Sequence, residues 1–266
     1  MVPPPEGNEK LWETLSKMRR QMKDPGYFRW PPHANRLYPF LKLQSPTKND
    51  DDHNALFLPE IVEMLESATK QISPFSVRLQ SFGTFGGKKR GVLWLHPDST
   101  VADTANDDLQ SDAAAPLIRL QSLLEKAFPM CKDQSKQGTF TPHMTISHFP
   151  NNNEALEAQQ ELEESFPNRE EMTFVLDRIY LLERKGDDGQ FLRVAEVALG
   201  TPPNQNAETR ILDPPQPFAG MPSTEEEWVY MARMEMKARR NKNQRRRRNK
   251  SPTKEQASTP NDKQPL

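Results

Sequence analysis

Two short segments with the same residue pattern constrain this chain more than any other feature of its sequence. One reads PHANRLYPF and the other, far downstream, reads PHMTISHFP. In each, a His follows a Pro and precedes, by two positions, a small hydrogen-bonding side chain: His33 with Asn35, and His143 with Thr145. Residues two apart on a β-strand face the same side of a sheet. We therefore expect two facing strands that place two imidazoles and two polar groups around one pocket.

Such a pocket would hold the groups needed for acid–base chemistry on a phosphodiester. The ordinary pKa of His, about 6.5, lets one ring accept a proton while another donates one. Ser147 shares the predicted face of His143 and Thr145 and is a further candidate for the pocket, whereas His148 points the opposite way and is expected to be structural. Either His alone would be read as a buried structural group. The two matching segments together favour catalysis or phosphate binding.

Composition predicts a folded core between disordered ends. Of the 266 residues only 34% are hydrophobic and 25 are Pro, and the mean hydropathy is −0.86. The lone cysteine, Cys131, excludes an internal disulfide and a Cys-based zinc site and fits a reducing, intracellular compartment. No apolar run is long enough to span a bilayer, and the N-terminal residues lack the pattern of a secretory signal. We therefore expect no membrane partner.

The net charge of −1 conceals an acidic body and a basic tail. Residues 222–266 carry 12 Lys and Arg against 6 Asp and Glu, so the tail has a net charge of +6 and the rest of the chain −7. The basic run Arg239–Lys250 has three interpretations: nuclear import, contact with RNA, or solubilising disorder. We favour the first two together, and expect a nuclear or cytoplasmic protein.

Hydrophobic periodicity predicts the order helix, His-strand, helix, hairpin, and then the same order again. Strands grouped as hairpins with helices outside indicate an α+β fold with antiparallel sheets, in which His33 and His143 occupy equivalent central strands. We divide the chain into a domain at 1–200, a Pro-rich linker at 201–223, and a charged helix with a basic disordered tail at 224–266. The predicted helices are Trp12–Lys23, Leu58–Ile72, Leu117–Phe128 and Asn153–Phe166, and the hairpin strands are Phe75–Phe85, Gly91–His96, Met172–Leu182 and Gln190–Leu199.

The two segments resemble the motifs of the 2H phosphoesterase superfamily, which includes the 2′-5′ RNA ligase-like proteins and cyclic phosphodiesterases. That family is defined by two His-x-(Ser/Thr) motifs on strands of a two-lobed, pseudosymmetric α+β fold. The second segment matches fully, while Asn35 stands where Ser or Thr is usual. The resemblance covers roughly residues 12–199. The family fold normally opens with an apolar strand before the first helix; this sequence begins MVPPP, so we expect that strand to be absent or the sequence to start late.

The resemblance implies a metal-independent phosphodiesterase that needs no cofactor. His33 and His143 would be the acid–base pair, in an order that the sequence leaves open, and Thr145 and Asn35 would bind phosphate. The implied substrate is an RNA end or small nucleotide, at a 2′,3′-cyclic phosphate or a 2′-5′ linkage. The alternative is a catalytically weak or inactive module that binds RNA or nucleotides, which Asn35 and the missing first strand motivate. A weaker alternative is a scaffold whose acidic body and basic tail bridge partners.

Overall fold

Five helices and seven strands make up the part of the chain that a computed structural model describes, namely residues 1–37, 40–41, 57–99, 115–131, 140–169, 171–200 and 208–248. The helices are α1 Glu9–Gln21, α2 Leu58–Thr69, α3 Pro116–Ala127, α4 Asn152–Ser165 and α5 Glu227–Arg248. The strands are β1 Phe75–Gly87, β2 Arg90–Asp98, β3 Met144–Phe149, β4 Thr173–Leu176, β5 Arg178–Arg184, β6 Phe191–Ala198 and β7 Arg210–Gln216. Within these residues, no helix is long and apolar enough to cross a membrane.

The first four helices confirm the hydrophobic periodicity, because each buries one apolar stripe in a shared core. Leu15 of α1, Ile61 of α2 and Leu120 of α3 are all fully buried in one cluster with strand residues of both sheets. Pro59 and Pro116 stand in the first turn of α2 and α3, where a missing N–H breaks no helical hydrogen bond. The helices therefore start close to where the sequence predicts.

Both sheets are antiparallel, which confirms the α+β class. The first sheet has the strand order β3-β2-β1-β4, and the second has the order β5-β6-β7. Among the described strands, the one that follows His143 lies at an edge of its sheet, so the predicted central position was wrong for the second segment. The single predicted strand Met172–Leu182 is divided at Asp177 into β4, which pairs with β1, and β5, which pairs with β6. Alternation along the chain does not specify which neighbour a strand pairs with.

The first His segment is not a strand in the described residues, and this prediction was wrong. Residues 30–37 run as irregular backbone. Pro31 and Pro32 cannot donate to a strand ladder, which restricts regular pairing here. One exchange of backbone hydrogen bonds remains: the Met1 amino group donates to the Ala34 carbonyl at 2.9 Å, and the Ala34 N–H donates back to the Met1 carbonyl at 2.8 Å. Met1 and Val2 are buried, and no strand precedes α1 in the described part.

The region between Gly200 and α5 differs from the predicted linker. Residues 210–216 form β7, which pairs with β6 and extends the second sheet. Phe218, just after β7, is buried with Trp12 and Val2 in a second apolar cluster. The predicted charged helix is present as α5, which continues to Arg248 and so takes in the first part of the predicted tail. The rest of that tail, from residue 249 onward, lies outside the described residues.

Candidate active site

His33 and His143 have the same local geometry. The Nδ1 atom of His33 is 2.8 Å from the Pro31 carbonyl oxygen, and the Nδ1 atom of His143 is 2.9 Å from the Thr141 carbonyl oxygen. A carbonyl oxygen only accepts hydrogen bonds, so each Nδ1 carries the proton and donates it. In the neutral ring this leaves the Nε2 lone pair of each histidine available to a substrate. The Pro between carbonyl and His fixes the intervening backbone in both segments.

A tryptophan flanks each histidine, and each tryptophan lies against a glycine. The Trp30 ring is edge-on to His33, with centroids 6.2 Å apart, and the Trp94 ring is 6.2 Å from His143. A Cβ atom at Gly26 would lie 2.0 Å from Trp30, and one at Gly83 would lie 2.4 Å from Trp94. Only glycine allows these rings to approach the backbone so closely.

The loop after α1, which contains Asp24 and Gly26, stabilises the first histidine segment. Arg19 donates from Nε to the Asp24 carboxylate at 2.9 Å, and its Nη2 lies 2.8 Å from the same oxygen. The Gly26 N–H donates to the other Asp24 oxygen at 3.0 Å. Burial opposes ionisation of Asp24, but Arg19, a hydrogen bond with His148 and the Gly26 N–H outweigh it and lower the pKa of Asp24. This buried ion pair holds the turn from which Trp30 and His33 continue.

A β-bulge in β3 changes which side chains share a face. Leu93 pairs with Ser147 while the adjacent Trp94 pairs with Thr145, so Ile146 is an extra residue on β3. Thr145 stays half-buried on the side of His143, but Ser147 is fully buried and donates from Oγ to the Met22 carbonyl at 3.1 Å. Ser147 therefore ties β3 to the end of α1, a different position from the one that simple alternation predicts.

The same bulge brings His148 to the site, which sequence reasoning missed. Five positions separate His143 and His148, so a regular strand would put them on opposite faces, and the extra residue reverses this. The His148 ring is 6.3 Å from Trp30, the same ring that flanks His33, and His148 contributes to the lowered pKa of His143. Shared neighbours thus link the two histidine segments. A bulge leaves no local signal in the sequence that would have identified His148.

Both histidines are held toward the neutral form. Burial lowers the pKa of His33 to about 4, against the effect of its bond to the Pro31 carbonyl. Burial also lowers the pKa of His143, with contributions from Arg36 and Arg90. The groups that act electrostatically on the two histidines include three arginines, Arg19, Arg36 and Arg90, and one carboxylate, Asp24, although the body of the chain is acidic overall. A site of this kind favours an anionic ligand, whose charge would raise the pKa of either imidazole.

The polar partners of the two histidines differ. Thr145 is half-buried beside His143, whereas the Asn35 side chain is exposed. Arg36, the next residue, is buried, and its charge acts on His143. The signal that could have identified Arg36 is its charge among the apolar residues of the first segment. Phe85 is the other residue of note: it is 36% exposed, stacked on Trp94 and edge-on to His143 at 5.0 Å.

Comparison with known proteins gives one family. A family model described as the 2′-5′ RNA ligase superfamily matches residues 7–188, a span that contains both His segments, α1 to α4 and the first sheet. The matched span ends before β6, so β7 and α5 lie beyond it. No curated protein matches the chain significantly.

Proposed function

The chain belongs to the 2′-5′ RNA ligase superfamily, a part of the 2H phosphoesterase superfamily, and we propose that it is a metal-independent phosphodiesterase acting on RNA ends or small nucleotides. Family membership supports a phosphoesterase-type activity in general. The observation that carries the finer proposal is the matched geometry of His33 and His143, each with Nδ1 bonded to the carbonyl two residues earlier. In each neutral ring this hydrogen bond places the proton on Nδ1 and leaves the Nε2 lone pair available for proton transfer, which supports the proposed acid–base pair.

The proposed reaction needs one proton acceptor and one proton donor. One Nε2 lone pair removes a proton from water as the water oxygen forms a bond to phosphorus, and the other imidazole, protonated at Nε2, gives that proton to the leaving oxygen as its bond to phosphorus breaks. For a 2′,3′-cyclic phosphate, the leaving oxygen is a ribose oxygen that remains part of the product. One imidazole thus gains the proton that water loses, and the other loses the proton that the leaving oxygen gains.

We assign the acceptor role to His33 and the donor role to His143. His33, with its pKa near 4, is neutral at neutral pH and holds its Nε2 lone pair ready. His143 must be protonated to act as donor, and a bound phosphate anion beside it would raise its pKa toward that state. In a plot of kcat/KM against pH, the rising limb should then have its midpoint at about pH 4. The falling limb should have its midpoint at a pH below about 6.5, the ordinary pKa of His. A profile that still rises above pH 7 would contradict this assignment.

Phosphate oxygens and a base would be held by the remaining side chains. We propose that the Thr145 hydroxyl donates to a non-bridging oxygen, where charge develops in the transition state, and that the Asn35 amide takes the role of the usual hydroxyl in the first motif. Phe85, partly exposed and stacked on Trp94, offers an apolar surface next to His143 on which a nucleobase could stack. This surface favours nucleotide phosphodiesters over simple phosphate esters.

The basic C-terminal region is a second contact that we propose for RNA. The start of α5 is fixed to the body through Trp228, whose ring is 5.5 Å from Tyr27, and through Arg233, which pairs with Glu225 and Asp188. Residues 239–248 of the run Arg239–Lys250 belong to this helix, and the whole run lies outside the family match. Truncation of the chain before Arg239 distinguishes the two roles. Loss of the salt-dependent part of RNA binding supports a contact with RNA, and loss of nuclear accumulation supports a nuclear import signal.

The experiment that tests the activity is incubation of the purified protein, in chelator, with 2′,3′-cyclic nucleotides and 2′-5′-linked dinucleotides. His33→Ala and His143→Ala are run beside it, with His53→Ala as a matched control in a histidine of neither segment. Turnover in wild type and control, lost in both site variants, is the expected result. The position of the product phosphate identifies the bond cleaved. Full activity in either site variant would overturn the proposal.

The second candidate is a module that binds RNA or nucleotides without turning them over. The exposed side chain of Asn35, at the place of the usual hydroxyl, favours it. This candidate predicts nucleotide binding without product, and binding retained after His→Ala substitution. If that is observed, Asn35→Thr is the variant to test next, since it restores the family motif.

A further inference from the structure

We propose that Arg36 is a phosphate-binding residue of this site. Its buried guanidinium would donate hydrogen bonds to the anionic oxygens of the substrate, which would supply its counter-charge. The identity of the substrate in this inference rests on the proposed function. The structural observation behind it is that Arg36 is buried without an ion pair to any described residue. The ligand class is a phosphate monoester or diester.

Among the described residues, Arg36 differs from the other buried arginines in having no carboxylate partner. The described part of the chain contains four buried arginines. Arg19 pairs with Asp24, Arg193 with Glu196, and Arg233 with Glu225 and Asp188. Arg36 is only 5% exposed, and no ion pair joins it to any described residue.

The contacts that Arg36 does make are weak. Its Nη2 lies 3.4 Å from the Met1 sulfur, and its guanidinium carbon is 5.3 Å from the centroid of the Phe140 ring. Its Nε and Nη1 atoms are buried without a hydrogen-bond partner among the described residues. A thioether is a poor acceptor, so most of the donor capacity of this side chain is unused.

An unpaired buried cation is unfavourable, and the groups nearby do not relieve it. Burial lowers the pKa of Arg36 to about 9, so the side chain is still charged at neutral pH. Among the described residues, its charge acts on the Met1 amino group and on His143, and neither of these is an anion. Burying a charge without compensation disfavours the folded state, so a bound anion that supplies the counter-charge would remove part of this cost.

The position of Arg36 points to the substrate as that ligand. Arg36 follows His33 by three residues and lies against Phe140, which precedes His143 by three residues, and its charge acts on His143. An anion paired with Arg36 would therefore lie close to both histidine segments. Its guanidinium suits phosphate, because two neighbouring nitrogens of a planar guanidinium can donate parallel hydrogen bonds to two oxygens of one phosphate. Charge that develops on those oxygens during attack would strengthen the contact.

Thermal unfolding and calorimetric binding of inorganic phosphate and of adenosine 5′-monophosphate test this without requiring turnover. Arg36→Met removes the charge while keeping an apolar chain beside Met1 and Phe140, and Arg36→Lys keeps the charge without the planar fork. We expect wild type to gain melting temperature with either ligand. We expect Arg36→Met to melt no lower than wild type without ligand, to bind at least tenfold more weakly, and to lose the ligand-induced shift, with Arg36→Lys in between.

Arg19→Met is the matched control, since Arg19 is equally buried but paired. It should lower the melting temperature because it leaves Asp24 buried and uncompensated. The proposal is overturned if Arg36→Met also lowers the melting temperature while the phosphate affinity is unchanged, or if wild type binds neither ligand. Phosphate binding through Arg36 without hydrolysis would overturn only the proposed activity. Hydrolysis with full kcat/KM and unchanged phosphate affinity in Arg36→Met would overturn only this inference.

Discussion

The two histidine segments reach the same local chemistry through different structures. His143 stands at the start of an edge strand and takes its position from β-sheet pairing, whereas His33 lies in irregular backbone held by the Arg19–Asp24 turn and by the exchange between Met1 and Ala34. Both nevertheless show the same Nδ1 hydrogen bond and a flanking tryptophan packed on glycine. The equivalence of the histidines is therefore local, set by the Pro-His step, while their supports and polar partners are not equivalent.

The largest effect expected from this comparison is on activity. If the histidines act as one acid–base pair, His33→Ala and His143→Ala should each lower kcat by roughly 10²–10⁴-fold, the usual contribution of general acid–base catalysis. The double variant should fall little further than the worse single variant, because residues that act as a unit are not additive. Steady-state kinetics measures this. If the loss of kcat in the double variant equals the product of the two single losses, the histidines act independently and not as one pair.

The support of the first segment should dominate stability. Asp24→Asn leaves Arg19 without its counter-charge in a fully buried site, and we expect it to lower the free energy of unfolding by about 3–5 kcal/mol. Chemical denaturation measures this. Glu171→Gln, which removes an exposed ion pair with Lys10, is the control and should leave unfolding unchanged. An unchanged Asp24→Asn protein would mean that the first segment does not depend on this turn.

The two histidines should also differ in how they couple stability to pH. The native pKa of His33, about 4, lies below its unfolded value, so between pH 6.5 and 4 the unfolded chain binds more protons and acidification favours unfolding. The loss over this window should be at most roughly 3 kcal/mol for His33, from the 1.36 kcal/mol per pKa unit. Denaturation at several pH values should give a flatter profile for His33→Gln than for wild type. A smaller flattening is expected for His143→Gln; the reverse order would contradict the greater depression of the His33 pKa.

The smallest effects concern the polar partners. Thr145→Val removes a half-buried hydroxyl beside His143, and we expect kcat/KM to fall about 10–100-fold, as for a lost hydrogen bond to a charged group. Asn35→Ala removes an exposed side chain and should cost less than tenfold. Equal losses would show that Asn35 reaches the phosphate as closely as Thr145 does. A rise in activity on Asn35→Thr would show that the departure from the family motif weakens the site.

The sequence determined the helices, the α+β class and the two Pro-His steps, because these depend on neighbours within a few positions. Apolar residues three and four apart define one helix face, and a proline fixes the backbone beside its own histidine. The tertiary structure alone decided the split of residues 172–182 between two sheets, the bulge at Ile146 that moves Ser147 away and His148 in, and the lack of a carboxylate paired with Arg36 among the described residues. These depend on which distant segments pair, and a period of two residues is the same whichever partner a strand takes.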